Sequence, residues 1–292
     1  MRNLKATLLE LIRRTSAELP DDVVQTIARY SKQEQPGTNA QYAMNIILQN
    51  IDMAKLKSAP LCQDTGSILF FVKSPTGFDQ LAFENAAATA VAAATAKGYL
   101  RQNSVDSITG KNTGNNLGPG SPSLHFHQHR GTRLDVRLIL KGGGCENVGA
   151  QYSLPDTRLL ANRDLAGVRK VILDEVLQAQ GKGCGPGILG VCIGGDRATG
   201  YLHSKEQLLR TLDDVNPDSS LATLEKDIVA SANKLGIGPM GFGGATTLLG
   251  CKIGARNRLP ASFFVSISYM CWAYRRQGIV LDDDGKILKW LY

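Results

Sequence analysis

Glycine in this sequence is concentrated in a few short runs, and those runs constrain the fold more than any other feature. Residues 141–147 read KGGGCEN, residues 181–187 read GKGCGPG, and residues 236–244 read GIGPMGFGG. Such runs interrupt helix and strand alike, because glycine gives up more backbone freedom on ordering than any other residue. They mark tight loops where backbone closely approaches a ligand or another backbone. With 31 glycines in 292 residues, the chain is expected to carry its chemistry on loops between regular elements.

Between the loops, periodicity places the elements. Leu4, Leu8, Leu11 and Ile12 share one helical face, and Glu10 interrupts what would be a signal-peptide core, so the amino terminus reads as a mature amphipathic helix. Further helices are expected from Asp21 or Asp22 to Ser31, over 39–56, and over the alanine-rich 80–97. The strand SILFFVK follows the loop PLCQDTG, and a polar, glycine-rich loop spans 103–120. Strands are expected at 123–128 and 132–141, the second alternating Leu134, Val136, Leu138 and Leu140. A helix at 164–179, a buried strand ILGVCIGG, helices at 204–213 and 221–235, and strands at 245–253 and 262–269 complete the reading. The fold class is α+β, a helical amino-terminal part packed on mixed β-sheet lobes with functional loops at strand ends. A single domain, 1–292, is expected, with intimate lobes at 1–100 (helical) and 101–280 (mixed α/β) and a tail at 281–292.

Hydrophobic residues make up 43% of the chain and charged residues 20%, ordinary for a globular protein. No stretch approaches the roughly 20 apolar residues of a membrane helix, so a membrane role is not expected and a cytoplasmic address is. The net charge of +7 suits an anionic substrate or partner; a solvated surface, or one facing an acidic subunit, explains it equally well. Lys and Arg are spread without a basic run or interleaved aromatics, so nucleic acid is not an expected partner. Six cysteines in such a chain argue against a disulfide framework. Each is by default a small buried hydrophobe.

Three cysteines stand out by position. Cys62 lies in PLCQDTG before a strand, Cys184 lies between glycines in GCGPG, and Cys271 ends an expected strand before Trp272 and the Arg275–Arg276 pair. Loop-held cysteines at strand ends can converge on one metal centre. Cys145, Cys192 and Cys251 read as packing residues. Gly236, Gly238 and Gly241 match G-x-G-x-x-G, but a helix precedes them and strand-like residues follow, so a backbone-packing loop is the better reading than a dinucleotide site. His125, His127 and His129 share a strand face, which suits zinc or, more simply, a solvated face. The glycines after Lys141 fit either a cradle for a carboxylate or phosphate, or a tight crossing of two chains.

In this order, from about Ala59 to Arg276, PLCQDTG, KNTGNN, KGGGCEN, GCGPGILGVCIGG, LGIGPMGFGG and CWAYRR resemble the alpha chain, or amino-terminal domain, of iron–sulfur (class I) fumarate hydratases and the related L(+)-tartrate dehydratases. The resemblance implies that Cys62, Cys184 and Cys271 bind one [4Fe–4S] cluster per chain, with one iron lacking a protein ligand. It places Gln63 and Asp64 in the active site, Arg101 on a substrate carboxylate, and a backbone contact to substrate at Gly143, with Gly142 and Gly144 beside it. One departure is Arg258-Leu259-Pro260, where many relatives read Arg-His-Pro. The histidine that lines the site in those relatives is Leu259 here, so its role is not carried over. The family's carboxy-terminal domain, with further arginines, a threonine and a lysine of the site, is not in this sequence. A beta subunit in an α2β2 assembly is therefore the expected partner.

The chemistry explains the residue types. Hydroxide is a poor leaving group, and three thiolates leave one iron open to act on it as a Lewis acid. A dicarboxylate brings charges that bidentate arginine pairs better than lysine. Asp64, the only carboxylate of its loop, suits proton transfer or the orientation of another base; an Asx-turn to Gly66 is its structural reading. The expected reaction is the tricarboxylic-acid-cycle hydration of fumarate to (S)-malate and its reverse. L(+)-tartrate dehydration is the nearest alternative. An electron-transfer subunit fits an open iron poorly, and retention of all three cysteines argues against a cluster-free scaffold.

Overall fold

Helix α1 (Leu4–Ala17) forms where the amino-terminal periodicity predicts it, with Leu4, Leu8, Leu11 and Ile12 on its buried face. The structure, a computed structural model, describes residues 3–292, so the first two residues of the expected helix lie outside the described residues. The chain forms two compact units, each assembled from separate stretches. The first takes the residues up to Asp21, Gln49–Gly143 and Ala273–Tyr292; the second takes Asp22–Leu48 and Gly144–Trp272. These boundaries differ from the lobes 1–100 and 101–280, because strands from both ends of the chain pair in one sheet.

In the first unit, β1 (Ser67–Pro75), β2 (Ser123–His129), β3 (Leu134–Lys141), β8 (Arg276–Leu281) and β9 (Ile287–Trp290) form a sheet in the order β2-β1-β3-β8-β9. Only β1 and β2 run parallel in it. Alternate residues Phe70 and Val72 of β1 and Val136, Leu138 and Leu140 of β3 join one core with α1 and α4 (Gln80–Ala96). Helix α4 starts where the Asp79 carboxylate accepts the Ala82 N–H at 2.9 Å, an N-cap. Its Ala87, Ala90 and Ala94 are fully buried, and such small residues let helices approach closely. Strands β8 and β9 were not identified from sequence; β9 falls in the expected tail.

The second unit holds a sheet in the order β4-β7-β5-β6, made of β4 (Ala150–Ser153), β5 (Gly187–Gly194), β6 (Leu248–Arg256) and β7 (Phe264–Met270). Every residue of β5 is buried, as its apolar run predicts. Helices α6 (Leu165–Ala179), α7 (Arg197–Gln207) and α8 (Ser219–Asn233) carry aspartate N-caps at Asp164, Asp196 and Asp218. Helix α7 was expected later, at 204–213. Thr199 and Gly200 are poor helix formers, but Gly200 sits against the Gly194 carbonyl, where an added Cβ would lie 3.0 Å away. Close packing overrides propensity there. Strand β6 starts later than expected because side chains take the preceding backbone donors: Glu34 accepts the N–H groups of Ala245 and Thr246 at 2.9 and 2.8 Å, and Asn233 accepts those of Thr247 and Leu248. Among the described residues no helix is long and apolar enough to cross a membrane.

Candidate functional site

The loop before β1 is a fixed turn centred on Asp64. Its Oδ1 accepts the Gly66 N–H at 2.8 Å, the expected Asx-turn, and a 3.3 Å bond from Asn103 Nδ2. Its Oδ2 accepts the Gly143 N–H at 2.6 Å. The structural and functional readings of Asp64 are therefore compatible, since the turn itself aims the carboxylate. Gly66 is required: its φ is +76°, and a Cβ there would lie 2.3 Å from the Lys141 carbonyl oxygen. The tight-crossing reading of the glycine run thus holds at Lys141 and Gly142. At Gly143 the N–H meets a carboxylate, but one belonging to Asp64. Cys62 is half-buried, and its Sγ lies 3.4 Å from the Asp64 backbone N–H that points to it.

Arg101 is tied to this loop by its backbone. Thr65 Oγ1 donates to the Arg101 carbonyl at 2.7 Å and accepts its N–H at 2.9 Å. Sequence reasoning missed the residue that organises the rest, Asn116, the last of KNTGNN. It is buried, with φ +62°, a region Asn tolerates better than most side chains. Its Oδ1 accepts the N–H groups of Asn103 and Ser104, and its Nδ2 donates to Thr95 Oγ1 and the Arg101 carbonyl, at 2.7–3.1 Å. Asn116→Ala removes all four bonds and strands buried groups. It should lower unfolding stability by about 2–4 kcal/mol in urea titration. These segments enclose a cavity of about 470 Å³ lined by Asp64, Asn103, Ser104, Asn116, Ser123 and Gly143 among others. Gln63 and Arg101 are exposed and do not line it.

In the second unit, GKGCGPG lies against Tyr269 of β7. A Cβ at Gly183 or Gly187 would come within 2.4 Å of that ring, which accounts for two of the glycines around Cys184. Cys184 is exposed with φ +53°, and its carbonyl accepts the Trp272 N–H at 3.3 Å, so it neighbours the end of β7 where buried Cys271 sits. The phenol of Tyr269 is pushed well up, first by burial, then by Glu175 and the thiols of Cys271, Cys145 and Cys184, and stays protonated. Cys145 is buried as expected, yet it belongs to this neighbourhood. Burial first, with Glu206 adding to it, raises the Cys192 thiol to about 11, and burial with Glu225 pushes Cys251 higher still, as suits packing residues.

The run GIGPMGFGG packs on this loop: Met240 N–H donates to the Gly185 carbonyl at 3.0 Å, and Gly181 and Gly241 meet backbone to backbone. The backbone-packing reading holds. On β2, His125 stacks on Phe71 with centroids 5.0 Å apart, while His129 Nδ1 accepts the Gly131 N–H at 2.8 Å. Among the described residues, no group of three or more His, Cys, Asp or Glu side chains could hold a metal ion. This counts against zinc on the histidines. A four-iron cube is several ångströms across, so its thiolates stand farther apart than the ligands of one ion. Each unit by itself offers donors that such a group uses: a half-buried thiol facing an N–H in the first, and two neighbouring cysteines at a strand end in the second.

Comparison with known proteins gives the chain its family. A model of the fumarate hydratase (fumerase) family matches residues 5–280. A Geobacillus stearothermophilus protein named "Putative fumarate hydratase class I" is 52% identical over 296 residues, covering 100% of this chain and 58% of that protein. This chain therefore spans little more than half of that relative. The L(+)-tartrate dehydratase subunit alpha of Escherichia coli (strain K12) is 30% identical over 271 residues, 92% of this chain and 88% of that protein. A Methanocaldococcus jannaschii protein named "Putative L(+)-tartrate dehydratase subunit alpha" is 30% identical over 286 residues, 96% of this chain and 98% of its own length. A match over nearly the whole chain, together with alpha-subunit relatives covered over 88% and 98% of their length, shows that this chain belongs to the fumarate hydratase (fumerase) family.

Proposed function

We propose that this chain is the alpha part of a hydro-lyase that interconverts fumarate and (S)-malate, with Cys62, Cys184 and Cys271 holding one [4Fe–4S] cluster. The observation that carries this reading is Asp64. Two residues beyond Cys62, its carboxylate is oriented by the N–H groups of Gly66 and Gly143 at the wall of a polar cavity. When bound, a cluster with three thiolate ligands supplies an open iron that acts as a Lewis acid on a hydroxyl or carboxylate. The chain's own residues do the rest of what this half contributes. Asp64 holds a fixed oxygen toward the cavity to move a proton or to orient the group that does. Arg101, anchored through Thr65 and Asn116, presents an exposed planar fork to a substrate carboxylate. Gln63 lies next to Asp64 on its loop.

The relatives divide the substrate question. Fumarate is favoured by the name of the 52% identical protein, and L(+)-tartrate by alpha-subunit relatives that this chain covers almost entirely. Those subunit names, and the greater length of the Geobacillus protein, also support a site completed from outside these residues; we infer that a beta subunit completes it, in an assembly closed by twofold symmetry, α2β2. Coexpression with a candidate beta subunit, followed by anaerobic assay on both substrates, tests the reading. Fumarate should exceed L(+)-tartrate in kcat/KM by about tenfold or more, and the reverse ratio assigns the chain to tartrate. In the same assay Arg101→Lys should cost about 2 kcal/mol in kcat/KM, because it keeps the charge and loses the bidentate fork. Unchanged kinetics would remove Arg101 from the site.

A further inference from the structure

In the second unit, the loop between β6 and β7 draws two arginines onto one carbonyl oxygen. Arg163 Nη1 and Arg258 Nη1 both donate to the Pro260 carbonyl, each at 3.2 Å. Guanidiniums keep their charge in a protein, so two placed side by side repel. Elsewhere in this unit Arg158, Arg169, Arg210 and Arg256 each pair with a carboxylate, those of Asp174, Asp227, Asp214 and Glu206. Among the described residues neither Arg163 nor Arg258 has such a partner. The carboxylate next to Arg163 in sequence, Asp164, caps α6 instead, accepting the Gly167 N–H at 2.7 Å. Both arginines are exposed, so an anion from another molecule can reach them.

The two side chains are also held in place beforehand. Arg163 donates Nε to the Leu154 carbonyl and Nη2 to the Ala261 carbonyl, both at 2.9 Å, which pins it between the end of β4 and the loop. Arg258 stacks on Phe263, 4.4 Å from the ring centroid, and turns Nη1 to the carbonyls of Leu259 and Pro260. Its Nε–Nη2 edge stays open, the edge that takes a carboxylate through two parallel bonds. A side chain fixed in advance loses less entropy on binding. Beside it Leu259 is 73% exposed. Small molecules favour concave sites, whereas arginine beside an exposed apolar side chain on open surface suits a protein interface. We propose that Arg163 and Arg258 receive an Asp or Glu side chain of the beta subunit, an inference that rests on the subunit reading above. The net charge of +7 fits a partner that is acidic where it docks.

The test is association of the anaerobically reconstituted chain with a candidate beta subunit, followed by sedimentation velocity at rising salt. The wild-type complex should weaken as salt rises. Arg258→Glu should raise Kd about tenfold or more and flatten the salt dependence. Arg258→Lys keeps the charge without the fork and should fall between the two. Because Arg258 is exposed, both isolated variants should unfold in urea at the wild-type midpoint. Arg163→Gln should weaken binding too, but it also frees the loop from three carbonyl contacts, so Arg258→Glu decides. One Asp or Glu of the beta subunit, changed to Arg, should restore affinity for Arg258→Glu. Wild-type affinity and salt dependence in Arg258→Glu would overturn the proposal. So would an Arg258 Nε–H resonance that responds to free (S)-malate and not to the beta subunit, which would make this a site for a small dicarboxylate. A wild-type chain that binds no beta subunit overturns the subunit reading and this inference together.

Discussion

Serine in place of Cys62, Cys184 or Cys271 should leave the anaerobically reconstituted protein without brown absorbance, and hydro-lyase activity should fall to background. The wild type should hold about four irons per chain. The contrast with the other cysteines makes this expectation specific. Cys192 and Cys251 are buried thiols whose ionisation is suppressed by desolvation, and thiolate, not thiol, binds metal. Serine at either position should preserve iron content. Cys145 is the sharper control, because it shares the Tyr269 neighbourhood with Cys184 and Cys271. Loss of iron in Cys145→Ser, with retention in Cys184→Ser, would show that the ligand set has been drawn one cysteine wrong.

Asp64→Asn should lower kcat by about 10²- to 10⁴-fold, the range typical of a positioned acid or base, with little change in iron content. Asparagine retains an oxygen for the Gly66 N–H, so the turn survives. It places an amide N–H₂ opposite the Gly143 N–H, donor against donor, or else reverses and loses the Gly66 bond. Either arrangement should cost about 1–3 kcal/mol of stability. The two quantities separate the roles of Asp64: if it only holds the turn, stability falls while kcat in the folded enzyme stays near wild type.

Sequence patterns revealed much of this fold because long periodic segments dominate it. The α1 face, the alanine-rich α4, the alternating β3 and the wholly apolar β5 form close to where their patterns place them. The misplaced boundaries share one cause, tertiary contacts that pattern does not reveal. Glu34 is more than two hundred residues from the backbone groups it caps before β6, and Gly200 is set in a helix by contact with Gly194. Strand β8 was missed since Arg276 and Gln277 look polar yet are buried.

At the site, Asp64 and its turn with Gly66 were legible because both lie within one loop. The bond from Gly143 joins residues 79 apart in sequence, and the role of Asn116 depends on four such contacts. Neither could be read from spacing. Arg275 was noticed only as half of a basic pair. Its burial is a property of the folded chain.

The most direct measurement is fumarate hydration by the anaerobically reconstituted chain combined with a candidate beta subunit, run beside cluster-free protein and the Cys184→Ser variant. Formation of (S)-malate should appear only with the cluster in place, should vanish in Cys184→Ser, and should decay in air with recovery on adding ferrous iron and thiol. Undiminished (S)-malate formation by cluster-free protein would contradict the assignment of this chain as an iron–sulfur hydro-lyase.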